Sequence, residues 1–200
     1  MKQLKHLYLP YNYRVGCKLE LDNLSYLQTL VNVDPKTIQI PTWFKLNCLW
    51  VLKVWNKPAQ DATQTLISRC PHIEKLKLYG AIKKLPEVHQ FSPYLAKLTL
   101  SGISFTKNPI EKDPMATLEK LPNLKILFLL YHDFEGKNMV CSERGFPLLQ
   151  HLLLLELDEL EEWRVEEGAM PSLCHLTIDR CRGLKTILDG LRFVTTLQEL

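Results

Sequence analysis

Residues 124–129 read LKILFL, residues 149–154 read LQHLLL and residues 173–178 read LCHLTI. All three follow one pattern, LxxLxL, with another aliphatic residue allowed in place of a leucine. The pattern extends upstream through Leu95-Leu98-Leu100, Ile73-Leu76-Leu78, Leu49-Leu52-Val54, a shortened Leu27-Leu30 and Leu4-Leu7-Leu9, and downstream to Leu197-Leu200. The second leucine of each unit falls at 7, 30, 52, 76, 98, 127, 152, 176 and 200, so successive units lie 23, 22, 24, 22, 29, 25, 24 and 24 residues apart.

Motif and period together are those of leucine-rich repeats, whose units run about 20–29 residues. Within each unit the fourth and sixth positions alternate as a strand requires and point into a core, while the third, fifth and seventh point to solvent. One unit is too small to bury its own leucines, so it stacks on its neighbours and the core runs along the array. The expected fold class is therefore α/β: a leucine-rich-repeat solenoid with a curved parallel β-sheet on the concave face. Irregular or short helical convex segments return the chain, carrying second leucines such as Leu85, Leu160, Leu184 and Leu191. Residues 1–200 read as a single domain of about eight repeats plus the start of a ninth. The ladder position that takes Asn or Cys is filled by Asn12 and Cys181 but elsewhere by Lys57, Ala81, Ile103, His132 and Leu157. The regular Asn ladder and LxGxIP signature of secreted repeat receptors are missing, which points to the irregular cytoplasmic class.

Composition agrees. With 46% hydrophobic and 24% charged residues the chain has enough apolar surface to offset chain entropy, which excludes a disordered protein. A net charge of +3 is far below the concentrated charge of a nucleic-acid binder. Leucine is roughly a fifth of the chain, about twice ordinary usage. Eight glycines leave little room for Gly-rich phosphate loops. The apolar runs ILFLLY and LLLL are far shorter than a membrane span, and MKQLKHLYLP lacks the apolar stretch of a signal peptide. The six cysteines form no CxxC and read as mostly free thiols in a reducing compartment.

Surface chemistry is read from the outward strand positions. Lys53, Lys75, Lys77 and Lys97 form a basic stripe on adjacent repeats, with Trp55 and Tyr79 two residues beyond Lys53 and Lys77. A basic and aromatic patch can hold nucleic acid, but the low net charge favours a protein partner. Phe128 and Leu130, then Leu153 and Leu155, with Tyr131 beside them, form an outward apolar block, the mark of a binding or covered surface. His151, His175 and Glu199 stack in one row. Zinc could use these ligand types, yet structural zinc sites close with four ligands, so the row reads as solvated and no metal is expected. Cys181 reads as a small buried hydrophobe, Cys174 as a residue beside the strand. The acidic run Glu156, Asp158, Glu159, Glu161, Glu162, Glu166 and Glu167 contains no interleaved nucleophile and reads as a solvated face. No catalytic site is expected.

DPMATLEKLPNLKIL (113–127), FEGKNMVCSERGFPLLQHLLL (134–154), LEEWRVEEGAMPSLCHLTIDRC (160–181) and GLKTILDGLRFVTTLQEL (183–200) resemble the C-terminal repeats of plant intracellular nucleotide-binding leucine-rich-repeat disease-resistance proteins of the coiled-coil type. MKQLKHLYLP and LDNLSYLQTLVNV resemble earlier repeats of the same proteins. That resemblance implies a module that senses pathogen effectors, or host proteins modified by them, and that folds back on the nucleotide-binding core at rest. No GxxxxGK[ST] and no coiled-coil heptad region occur, so ADP or ATP would bind a domain absent from this chain, and the chain is expected to be a fragment or truncated product. The alternative is a leucine-rich-repeat substrate adaptor of a ubiquitin ligase.

Overall fold

The computed structural model describes residues 3–10, 18–56, 60–80, 85–102, 113–130, 137–185, 191–192 and 194–199. Among them the strands are β1 (His6–Tyr8), β2 (Leu19–Glu20), β3 (Thr29–Val33), β4 (Ile38–Gln39), β5 (Val51–Asn56), β6 (Lys75–Gly80), β7 (Lys97–Ser101), β8 (Ile126–Leu130), β9 (Asn138–Cys141), β10 (His151–Leu155), β11 (Glu162–Val165) and β12 (His175–Asp179). Two helices, α1 (Gln60–Ser68) and α2 (Met115–Leu118), and two 3-10 turns, Pro35–Thr37 and Val88–Gln90, lie between them.

Eight strands form one parallel sheet in the order β1-β3-β5-β6-β7-β8-β10-β12. Its register is the repeat period itself. Leu7 pairs with Leu30, Leu30 with Leu52, Leu52 with Leu76, Leu76 with Leu98, Leu98 with Leu127, Leu127 with Leu152 and Leu152 with Leu176. From Leu30 to Leu176 these leucines are fully or almost fully buried, and the second column (Val54, Leu78, Leu100, Leu129, Leu154) is buried with them. Side chains of a strand alternate between faces, so the outward columns face the other way in every turn.

A second ladder fixes the entry to each strand. The residue after the first leucine of a unit donates its N–H to the same position one turn earlier: Gln28 to Lys5, Trp50 to Gln28, Glu74 to Trp50, Ala96 to Glu74, Lys125 to Ala96, Gln150 to Lys125, Cys174 to Gln150 and Gln198 to Cys174, all at 2.7–3.1 Å. Each of these backbone groups is thereby paired. Exit from the strand is equally regular. Gly80, Gly102, Glu156 and Arg180 occupy the same place in four turns, and all have φ between 52° and 93°. Glycine reaches this left-handed region freely. In the two turns without it, the Glu156 carboxylate and the Arg180 guanidinium pair with each other across adjacent turns.

Four return segments depart from the expected irregular or helical form, in two pairs. β2 pairs with β4, and β9 with β11, as short parallel sheets on the convex side. The cause is period-two alternation. Met139, Cys141, Trp163 and Val165 point inward and are buried, while Asn138, Glu162 and Arg164 are exposed. Trp163 Nε1 donates to Cys141 Sγ at 3.5 Å. Of the expected second leucines, Leu85, Leu160 and Leu191 are buried and Leu184 is half-buried.

Two carboxylates, Asp113 half-buried and Glu119 buried, tie the convex side together. Asp113 accepts the Met115 N–H at the start of α2 (2.9 Å) and the Val140 N–H of the next turn (2.6 Å). Glu119, itself buried, accepts the Ser142 N–H at 2.8 Å. Gly145 sits against that carboxylate, where a Cβ would meet Glu119 Oε2 at 2.8 Å.

Candidate functional site

The outward columns of β5, β6, β7, β8, β10 and β12 make one continuous surface on the concave face. Its basic end is built on β5, β6 and β7. Strand pairing places Lys53 beside Lys77 and Lys75 beside Lys97, so four ammonium groups share one patch. Trp55 pairs with Tyr79 at the strand ends, with ring centroids 5.9 Å apart. The Lys77 ammonium lies 4.5 Å from the centroid of the Tyr79 ring, an attractive arrangement because the ring face is electron-rich. Burial, and after it the charges of Lys75, Lys77 and Lys53, lower the Lys97 ammonium below its ordinary range. Among the described residues none of these four lysines forms a salt bridge, whereas Lys137, Arg164, Arg180 and Lys185 all do.

The apolar block follows on β8 and β10. Phe128 pairs with Leu153 and Leu130 with Leu155. All four face outward between the buried Leu127, Leu129, Leu152 and Leu154, but they are half-buried rather than fully exposed. Neighbouring strands stand about 4.8 Å apart, so large side chains in adjacent turns shield one another. Tyr131, assigned to the same block from sequence, lies outside the described residues. The two zones meet at a contact that strand periodicity alone does not reveal: the Lys97 ammonium lies 4.4 Å from the centroid of the Phe128 ring. Thr99 and Ser101, also outward, are buried at this seam.

Beyond the apolar block the face turns polar. His151 and His175 stack with centroids 4.3 Å apart and planes 12° from parallel, and His175 Nε2 lies 3.5 Å from Glu199 Oε2. The row expected from spacing is thus assembled, although among the described residues no group of three such side chains converges as a metal site would require. Asp179 and Glu156 border it, each in contact with Arg180. On the convex side Glu161 is clamped between Lys137 and Lys185 at 2.5 Å each, which holds its carboxyl at about 2.

The described cysteines carry free thiols. Burial pushes the Cys70 and Cys141 thiols up to about 12. Cys181 is half-buried, where the sequence suggested full burial, and desolvation raises its thiol too. Cys174 is half-buried beside β12. No described helix is long and apolar enough to cross a membrane.

No protein-family model matches the chain. The Arabidopsis thaliana disease resistance RPP8-like protein 2 is 35% identical over 230 aligned residues, which cover all of this chain and 25% of that protein. Disease resistance protein RPP8 of the same plant is 46% identical over 129 residues, 64% of this chain and 14% of that protein. Disease susceptibility protein LOV1 is 32% identical over 220 residues, 96% of this chain and 24% of that protein. The chain therefore spans about a quarter, or less, of the length of the curated relatives it matches. The resemblance drawn from residues 113–200 agrees with these relatives. By its parallel solenoid and by its sequence, the chain belongs with the leucine-rich-repeat regions of plant disease-resistance proteins.

Proposed function

We infer that the chain is a non-catalytic protein-recognition surface of a plant immune receptor, on which a pathogen effector, or a host protein altered by one, docks. The observation that carries this reading is the concave block of Phe128, Leu130, Leu153 and Leu155, left half-open to solvent beside four lysines that form no salt bridge among the described residues. An apolar patch rimmed by polar groups is the usual form of a protein-binding surface. Names of the relatives support a role in disease resistance and give the ubiquitin-ligase adaptor no support. In a full-length receptor the same face rests on the nucleotide-binding core, where ADP or ATP is held by residues outside this chain. A ligand that prefers the released state then shifts the population toward release. Cytoplasmic residence belongs to the same proposal.

Replacing Phe128 and Leu153 with Ser in a full-length receptor tests it. Loss of the ligand response identifies ligand contact, and activation without ligand identifies a resting-state contact. A folded variant that accumulates and responds like the unaltered receptor overturns the reading.

A further inference from the structure

The lysine patch and the apolar block are joined, and their junction specifies a partner more narrowly than a protein surface in general. Lys97 is the outermost lysine toward the apolar block, and its ammonium already lies on the Phe128 ring. Like charges from Lys75, Lys77 and Lys53 act on it with no opposing carboxylate among the groups that shift it. Four ammonium groups held together, with no salt-bridge partner among the described residues, repel each other, and an acidic ligand relieves that repulsion. At the far end, Glu156, Asp179 and Glu199 place carboxylates next to the His151–His175 stack. Arg180 offsets part of that charge. Acid is thus favoured at one end of the face and disfavoured at the other.

We propose that the concave face seats one segment of a partner protein, with carboxylates over Lys53, Lys75, Lys77 and Lys97 and large apolar side chains on Phe128 and Leu153. The assignment rests on the protein-recognition reading above and adds the chemistry of the partner. From β6 to β8 and β10 is two to three strand spacings, about 10–14 Å. Carboxylate and apolar anchor are therefore three or four residues apart in an extended segment, at about 3.3 Å per residue. Lys97 stands between the two zones and serves both: its charge meets the acid, and its ammonium lies over the Phe128 ring. Carboxylates at the far end keep an acidic segment from docking in the opposite sense, a use of repulsion to set direction.

The test uses the whole chain and a synthetic peptide with three glutamates followed, three residues on, by Leu and Phe. Calorimetry at low salt compares it with a peptide carrying Gln for Glu and with one carrying Ser for Leu and Phe. Either change is expected to weaken binding roughly tenfold, the sum of a few exposed ion pairs or one apolar anchor. With K75E/K77E, a variant confined to outward side chains, the Glu and Gln peptides should bind alike while the apolar requirement stays. If Glu→Gln has no effect on the unaltered chain but F128S/L153S abolishes binding, the acidic assignment is overturned and the recognition reading stands. If neither concave variant changes binding, both are overturned. Absence of binding by the acidic-apolar peptide overturns the proposal, as does tighter binding by a DNA oligonucleotide or self-association of the chain through this face.

Discussion

Leu127 and Phe128 are adjacent in β8 and face opposite ways, so truncating each to alanine measures the two faces of the same strand. Leu127 is fully buried, with Leu98 and Leu152 as its strand partners on either side. Those leucines are fixed by their own turns and cannot close over a cavity, so the loss belongs in the middle of the usual large-to-small range, about 3–4 kcal/mol. Phe128 is half-buried. Complete burial of such a side chain is worth about 1.5–3 kcal/mol, so half of it is worth about 1 kcal/mol. Its contact with the Lys97 ammonium adds about 0.5 kcal/mol at an open site. Urea unfolding followed by circular dichroism should give Leu127→Ala at least twice the loss of Phe128→Ala, with similar denaturant slopes. An equal or larger loss for Phe128→Ala would mean that β8 faces the other way and that the concave apolar block is core.

Two further outcomes follow from the buried groups. Burial raises the Asp113 carboxyl from its ordinary 3.8 to about 6, so folding favours its protonated form. Its contribution to stability is full below about 3.8 and is lost as pH rises through about 6, a change of about 3 kcal/mol. The difference in unfolding free energy between the unaltered chain and Asp113→Asn should carry that slope, and a flat difference across pH 4–7 would refute it. Thiol labelling read by mass spectrometry should modify Cys48, which is exposed, in the native protein, and should reach Cys70 and Cys141 only on unfolding. Rapid native labelling of Cys141 would contradict the packing of β9 under Trp163.

Much of this architecture can be read from sequence because a solenoid repeats its signal. A misassigned leucine in one turn is corrected by its partners in the next, and each inward residue from Leu30 to Leu176 is named by the same rule. Positions of Lys53, Lys75, Lys77, Lys97, Phe128 and Leu153 follow from that rule alone, since outward residues alternate with inward ones. Less accessible were features that depend on side-chain length or on contacts between turns. The seam between Lys97 and Phe128 joins residues 31 positions apart in neighbouring strands, and spacing says nothing of where a lysine stem bends. Half-burial of the apolar block comes from crowding between adjacent turns. Convex strands β9 and β11 carried a usable signal in NMVC and EWRV, but four residues of alternation are too few to separate a strand from a turn. The acids Asp113 and Glu119 look like surface residues until the chain folds the Val140 and Ser142 N–H groups onto them.

If protein covers the concave face in a working receptor, its lysines are protected from an acylating reagent, and lysine acylation measures that cover. A full-length receptor carrying these repeats is treated at rest and with its activating ligand, and each lysine's modification is counted by mass spectrometry. Lys36, Lys45 and Lys120, exposed and away from the strands of the concave sheet, serve as internal references. The prediction is that Lys53, Lys75, Lys77 and Lys97 are shielded relative to those references in at least one of the two states, and that the extent of shielding changes between them. Concave lysines that react equally in both states, without shielding in either, would mean that no protein covers this face.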